Sequence, residues 1–238
     1  MRFLSVGDTA LAVEFGDAID RELSRKVINL GRAIRADPPA GVVETVSTFR
    51  SLMVHYDPVT TSRTELERAI EGLLDRHHDL TGAGRLWRIP VCYEGEFAPD
   101  LAAVTQQSGL APADIAALHA SVRYHVYMLG FLPGFPYMGD LPPALALPRR
   151  ADPRVRVPAG SIAIATTLTA IYPYDSPGGW HLIGRTPLPL FDPVRTPPAL
   201  LAAGDVVLFE PIDPRRFAEI RDAIERGGST LGSEPLAP

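Results

Sequence analysis

The residues best suited to chemistry are arginines, aromatic rings and glycines in one segment, from Tyr124 to Pro198. This segment holds 14 of the 24 prolines, and its six arginines and four acidic residues give it a charge of +2, whereas the whole chain carries −5. Proline fixes φ and removes a backbone donor, so this density argues against long helices and favours short strands joined by rigid turns. Arginines set among such turns predict a binding site for a small anion.

The first candidate group lies in GFLPGFPYMGD, residues 130–140. Its glycines permit backbone turns that other residues resist. The rings of Phe131, Phe135 and Tyr137 could form the wall of a pocket that stacks a planar ligand. The alternative is a rigid aromatic corner that fills the end of a sheet structure.

The second candidate group lies in LPRRADPRVRVPAGS, residues 147–161. Arg154 and Arg156 alternate with valines, so we expect both arginines on one side of a strand. Gly160 and Ser161 could add exposed backbone N–H groups, and together these donors could hold a carboxylate or a phosphate. The alternative is a solvated arginine face paired with surface acids.

The third candidate group lies in YPYDSPGGWHLIGRTP, residues 172–187. The run from Asp175 to Gly179 has the composition of a turn. Trp180, His181 and Arg185 follow it closely. His181 and Arg185 are four positions apart in a predicted strand, so their side chains share a face. The segment could bind a ligand, or it could be a β-hairpin tip anchored by Trp180.

Two histidines form the fourth group. His119 ends a predicted helix and His125 begins the next strand, and either could act as a general acid or base because histidine titrates near neutral pH. The alternative is a buried histidine with satisfied hydrogen bonds. No metal-binding motif and no G-x-S-x-G nucleophile motif is present, and Cys92, the single cysteine, has no local support as a nucleophile.

The elements that must position these residues divide into two predicted domains. Residues 1–82 are predicted to form a small α+β domain with a β-α-β-β-α order, close to a ferredoxin-like layout. Its elements are a strand at 9–15, a helix from Ile19 to Ile34, strands at 42–49 and 51–57, and a helix that begins with a capping box of Ser62 and Glu65. His77 and His78 near the end of that helix are interpreted as solvated, and Thr81–Gly84 as a linker.

Residues 85–238 are predicted to form a mostly-β domain with helices at its margins. Its helices are expected at about 99–108, at 112–121 and after Asp213, and its strands include 86–93 and 205–210. A closed or nearly closed barrel would remove the exposed edges of so many short strands.

Composition excludes several classes of protein. A pI near 5.7 gives no general attraction to nucleic acid or to an anionic membrane surface. Lys26 is the one lysine beside 22 arginines, so a Walker-type phosphate loop, which needs a lysine after its glycine, cannot exist. One cysteine excludes an internal disulfide, and we expect the N-terminal residues to form neither a signal peptide nor a membrane span. We therefore expect a soluble cytoplasmic protein.

Long motifs at these same positions resemble one known family. VYMLGFLPGFPYMGDLP, LPRRADPRVRVPAGSIAIA and IYPYDSPGGWHLIGRTPLPLFDP are similar to the family of 5-oxoprolinase B subunits, also called allophanate hydrolase subunit 1, the carboxyltransferase C–D domain or the Kip-type histidine-kinase inhibitor. GDTALAVEF near the start, IPVCYEGEFAPDL at 89–101 and AAGDVVLF near the end also match, so the resemblance covers nearly the whole chain.

The resemblance implies an α+β N-terminal domain and a cyclophilin-like β-barrel domain. It implies partnership with a homologous C subunit and an A subunit, with which the lactam of 5-oxoproline is opened to glutamate at the cost of ATP with Mg²⁺; the chain alone would be inactive. Within this expectation the candidate catalytic residues are His119 as a proton shuttle, and Arg154 and Arg185 as anion-binding groups. The candidate substrate-binding residues are Phe131, Phe135, Tyr137, Arg156, Gly160, Ser161, Tyr172, Ser176, Gly178, Gly179 and Trp180.

One strand departs from the family pattern. Where relatives read I-A-G-x-Q-T-G-I-Y-P, this chain has Thr166, Leu168 and Ala170 in place of two glycines and an amide. If the strand lines the site, substrate choice could differ. Two alternatives therefore stay open: a carboxyltransferase acting on urea or a related amide, with biotin on a separate polypeptide, and an inhibitor that binds a sensor histidine kinase.

Overall fold

The structure is a computed structural model that describes residues 1–76, 84–228 and 233–236. The chain divides into two compact units, Met1–Ala83 and Gly84–Ala237. The predicted linker, except Gly84, and the histidine pair at 77 and 78 lie outside the described residues. That each unit is an independent domain, with the boundaries 1–82 and 85–238, stays a prediction.

The N-terminal unit has one four-stranded antiparallel sheet with two helices. Its elements are β1 (Arg2–Ser5), β2 (Ala10–Glu14), α1 (Arg21–Ala36), β3 (Val42–Ser47), β4 (Ser51–Tyr56) and α2 (Arg63–Arg76), with strand order β1-β2-β4-β3. Strands β2 and β3 both run antiparallel to β4 between them, so α1 joins two parallel strands as in a split β-α-β motif. Strand β1, which the sequence prediction missed, adds the outer edge.

Local chemistry explains where these helices begin. The Asp20 side chain accepts hydrogen bonds from the backbone N–H groups of Glu22 and Leu23 and so caps α1. The predicted capping box before α2 is confirmed: the backbone N–H of Ser62 donates to Glu65 at 2.8 Å, and the N–H of Glu65 donates to the Ser62 hydroxyl at 3.3 Å. Apolar residues of both helices then pack with those of the sheet in one core.

The C-terminal unit is built around one eight-stranded sheet. Its strands and helices are β5 (Arg85–Val91), α3 (Leu101–Ser108), α4 (Pro112–Ala120), β6 (Tyr124–Leu129), β7 (Pro136–Met138), β8 (Arg154–Val157), β9 (Ser161–Ala165), β10 (Leu168–Ile171), β11 (Ser176–Gly178), β12 (His181–Arg185), β13 (Val206–Pro211), α5 (Pro214–Glu225) and β14 (Ser233–Pro235). The sheet order is β12-β9-β10-β7-β6-β13-β5-β14, and β8 and β11 pair separately.

The predicted closed barrel is wrong as a description of this sheet. The hydrogen-bonded order of the described strands has two ends, β12 and β14. Strand β13 pairs with one edge of β5, and β14 pairs with Arg85–Trp87 on the other edge. The opposite end strand, β12, contacts the chain just after β5 through a single bridge between Arg185 and Cys92. The unit is therefore a mixed α/β structure in which one bridge stands where a closed barrel would have a continuous ladder.

The helix predictions for this unit are confirmed. Gly109 ends α3 with a left-handed φ of 74°, and Pro112 opens α4 in its first turn. Asp213 caps α5 by accepting the backbone N–H of Arg216 at 2.7 Å. No helix in the described ranges is long and apolar enough to cross a membrane.

Candidate active site

An aromatic cluster forms where the loops after β6 and β10 meet. Phe135 is buried and lies at its centre, with ring-centroid distances of 4.9 Å to Tyr137, 5.0 Å to Tyr172 and 6.3 Å to Trp180. Phe131 meets Phe135 edge-on at 5.4 Å. The structure thus brings together all five aromatic residues that the sequence nominated, as edge-to-face and tilted pairs that stabilise aromatic clusters.

Phe131 differs from the other rings of this cluster because it is 61% exposed. Its backbone has φ 67°, and the N–H of Leu132 donates to the carbonyl of Gly130 at 2.8 Å across it. This is a γ-turn with a left-handed central residue, the rarer and more strained form. Strain that the surrounding structure maintains at a non-glycine residue is a recognised feature of functional sites. The loop therefore holds an apolar ring in solvent beside the cluster.

Asp100 is the residue that organises the arginines, and the sequence prediction missed it. Its carboxylate is almost fully buried and accepts a two-pronged pair of hydrogen bonds from Arg154, at 2.7 and 2.6 Å, and one from Arg150 at 2.8 Å. The backbone N–H of Leu182 donates to it at 2.7 Å. Two guanidinium groups and one carboxylate leave this cluster with a charge of +1.

The other nominated arginines have different partners. Arg156 is exposed and pairs with Asp175. The hydrogen bond from the Ala159 N–H and the pair with Arg156 lower the pKa of Asp175. Arg185 donates through Nε to the carbonyl of Ala159 at 2.8 Å. Arg154 and Arg156 are therefore held by two separate carboxylates, and the arginines do not form one set of unpaired donors.

The expectation of bare backbone donors at Gly160 and Ser161 is wrong. The N–H of Gly160 donates to the carbonyl of Tyr172 at 2.7 Å, and the N–H of Ser161 donates to Pro158 at 3.2 Å. The Ser161 hydroxyl also donates to Pro158. These groups are used to fix the turn that enters β9, so they are not available to an anion.

The turn from Asp175 to Gly179 lies beside β8 and the Tyr172 hydroxyl. Gly178 lies opposite Arg154 in the β8–β11 pair, and the carbonyl of Gly179 accepts the backbone N–H of Arg150 at 2.8 Å. A Cβ at Gly178 would lie 2.3 Å from the Tyr172 hydroxyl oxygen, so only glycine leaves room for that hydroxyl. The Ser176 hydroxyl is buried and has no hydrogen-bond partner within the described ranges.

His119 occupies the core, and this position does not suit the predicted proton shuttle. It is fully buried, stacks on Phe209 at 4.6 Å, and burial lowers its pKa to about 3. The Thr169 hydroxyl donates its proton to the carbonyl of Ala163, so towards His119 it can only accept. The His119 Nε2–H therefore donates to Thr169, and His119 Nδ1 accepts a hydrogen bond from the Tyr93 hydroxyl. Both ring nitrogens of His119 are hydrogen-bonded away from solvent and its imidazole is neutral, so His119 is a structural residue.

His125 and Cys92, the other two residues considered for acid–base or nucleophilic chemistry, are also structural. His125 is buried and meets Tyr127 edge-on at 4.7 Å. Cys92 is buried, and burial raises the pKa of its thiol, which disfavours the nucleophilic thiolate. Neither residue therefore adds a reactive group to the site.

Comparisons with known proteins place the chain in a defined group. The family model described as "Carboxyltransferase domain, subdomain C and D" matches residues 1–201. The B subunit of 5-oxoprolinase from Bacillus subtilis (strain 168) is 38% identical over 89% of this chain and 93% of its own length. The protein of the same name from Escherichia coli O157:H7 is 40% identical over 87% of this chain and 94% of its own.

Two solved structures have related folds. The protein TTHA0988 is 39% identical to this chain, with a TM-score of 0.78. The match covers 86% of this chain and 40% of TTHA0988, which is the longer protein. The urea amidolyase of K. lactis aligns with a TM-score of 0.79 over 98% of this chain and 16% of its own, at 19% identity, which supports a common fold and no more.

Proposed function

The chain belongs to the family of carboxyltransferase subdomains C and D, and from this membership we propose that it acts as the B subunit of an ATP-dependent 5-oxoprolinase. The observation that carries the proposal is identity of 38% and 40%, over about nine-tenths of both chains, with two bacterial proteins of that name. The expected reaction is opening of the 5-oxoproline lactam to glutamate. The chain would act with A and C subunits in the cytoplasm and would be inactive alone.

The site supports a binding and orienting role for this chain. A planar lactam ring would pack against the accessible side of the aromatic cluster, where Phe131 is exposed and Tyr137 is partly buried. The positive groups beside the cluster suit an anionic substrate. Apolar walls with a few polar groups that fix orientation are typical of small-molecule sites.

The nucleotide is assigned to the partner subunits. In the described residues no three His, Cys, Asp or Glu side chains lie close enough together to hold a metal ion, and the phosphate-binding lysine motif cannot be built. This chain therefore has no Walker-type loop, and we propose that ATP with Mg²⁺ binds to the partner subunits. This chain's share of the reaction is to hold the amide substrate in place.

The experiment is reconstitution of the complex. The chain is co-expressed with the proposed A and C subunits, and glutamate formation from 5-oxoproline is followed with and without ATP, and with each subunit left out in turn. ATP-dependent glutamate formation that requires this chain is the expected result. Absence of hydrolysis by the complete complex would contradict the proposal.

A second candidate is carboxyl transfer to urea or a related amide, because the fold is shared with a urea amidolyase. The same reconstituted complex, supplied with carboxybiotin and urea, tests it. A third, contact inhibition of a sensor histidine kinase, comes from the sequence resemblance, and no contact described above favours it.

A further inference from the structure

Arg149 is an arginine near the aromatic cluster, and no carboxylate of the described residues holds it. Its neighbours in the chain, Arg150 and Arg154, are engaged by Asp100. Arg149 is exposed and makes no ion pair within the described parts of the chain. Its guanidinium carbon lies 5.9 Å from the ring centroid of Trp180, within the range of a cation–π contact. A guanidinium placed on a ring keeps its in-plane N–H edges directed outward.

Tyr172 supplies a hydroxyl at the same place. Its side chain is only 2% exposed, and no residue of the described ranges makes a hydrogen bond to its hydroxyl. Gly178 lies against this hydroxyl, where the side chain of any other residue would clash with it.

Arg149 also lies near the two tyrosines of the aromatic cluster. Burial raises the pKa of Tyr172 to about 12, and among the smaller causes Arg149 and Arg154 lower it. Burial also raises the pKa of Tyr137, and Arg149 lowers it. Arg149 therefore lies close enough to both tyrosines to affect their ionisation, and both tyrosines pack against Phe135.

From this geometry we propose that Arg149 and the Tyr172 hydroxyl bind the carboxylate of the small cyclic amide, and that Arg154 does not. The inference rests on the proposed function, because it assigns a subsite for that substrate. Two N–H groups on one edge of Arg149 can meet both oxygens of a carboxylate, and the tyrosine O–H can donate to one of them. Arg154 cannot do this without giving up its own two-pronged pair with Asp100. Its part is to fix β8 beside the site.

The test uses steady-state hydrolysis of 5-oxoproline by the reconstituted complex. Arg149→Ala should raise the KM by about 10- to 100-fold, the usual range for a lost charged hydrogen-bonded contact. Arg149→Lys should recover part of the loss, because a lysine keeps the charge and loses the paired geometry. Tyr172→Phe should raise the KM by about 3- to 10-fold without lowering the melting temperature. Arg215→Ala, an exposed change in α5, is the matched control and should leave the KM unchanged.

A neutral competitor separates charge recognition from a change in pocket shape. The primary amide of 5-oxoproline keeps the ring and loses the charge, so its inhibition constant should be the same for Arg149→Ala and for the unmodified complex. An Arg149→Ala complex whose KM stays within about twofold, or whose amide inhibition weakens as much as its KM rises, would overturn the inference and leave the proposed function standing. No hydrolysis by the unmodified complex would overturn the proposed function instead.

Discussion

Replacing Asp100 by asparagine tests the structure of the site most directly. The carboxylate is 3% exposed and accepts four hydrogen bonds, three from Arg150 and Arg154 and one from the Leu182 N–H. Asparagine has nearly the same shape but carries no charge, and its amide NH₂ would face an N–H donor. The change leaves two positive side chains with no counter-charge and at least one buried donor without an acceptor.

The expected loss of stability follows from the burial of the three groups. Removing one partner of a buried ion pair costs about 3–5 kcal/mol. The Arg150 and Arg154 side chains are 27% and 24% exposed, so water can compensate part of the loss and we expect the lower end, about 3 kcal/mol. For a chain of this size, about 2–4 °C per kcal/mol converts this to a fall in melting temperature of roughly 6–12 °C.

The assay is unfolding by urea and by heat, followed by circular dichroism. Asp175→Asn is the matched control, because it makes the same chemical change in a pair whose side chains are 42% and 78% exposed, where a loss below about 1 kcal/mol is expected. Adding Arg154→Met to Asp100→Asn should recover part of the loss, since it removes an uncompensated charge. Equal stability of Asp100→Asn and Asp175→Asn would refute the view that this buried cluster holds the site together.

Three further predictions concern strain and pH. Thr166→Gly should raise the free energy of unfolding by roughly 0.5–1 kcal/mol in urea denaturation, because a β-branched residue there has φ 52°. The Phe131→Gly variant should have a higher melting temperature than Phe131→Ala, because a φ of 67° at this position suits glycine better than alanine. Both variants should lose substrate affinity equally if the Phe131 ring contacts the substrate. His119 is neutral in the fold with a pKa of about 3, and the unfolded chain binds its proton below about pH 6.5, so stability should fall by about 2 kcal/mol more between pH 7 and pH 5 than in His119→Gln.

Sequence reasoning succeeded where the physics is local. The Asp213 cap and the Ser62–Glu65 box join residues three positions apart, so the sequence shows both partners at once. Strand β1 was missed because four residues, Arg2–Ser5, give too short a pattern. Its pairing with β2 is a property of the sheet, and nothing in its own composition indicates it.

The candidate site was predictable as a region and not as a set of contacts. The five aromatic residues come together because the turns of a proline-rich segment bring neighbouring loops to one place. The arginine pairings could not be found in this way. Asp100 lies 54 positions before Arg154, and the alternation that correctly places Arg154 and Arg156 in one strand says nothing about which carboxylate each one meets.

The local sequence pattern at Asp100 indicates a helix cap and gives no sign of the arginines. The residue occupies the position before α3 where an aspartate normally caps a helix, yet its side chain makes no capping hydrogen bond. A carboxylate that forgoes the nearby N–H donors must find stronger partners elsewhere, and Arg150 and Arg154 are those partners. Phe131 likewise adopts a left-handed conformation that its own side chain disfavours. Asp100 breaks a local preference because contacts distant in sequence stabilise another arrangement, and both residues lie at the site.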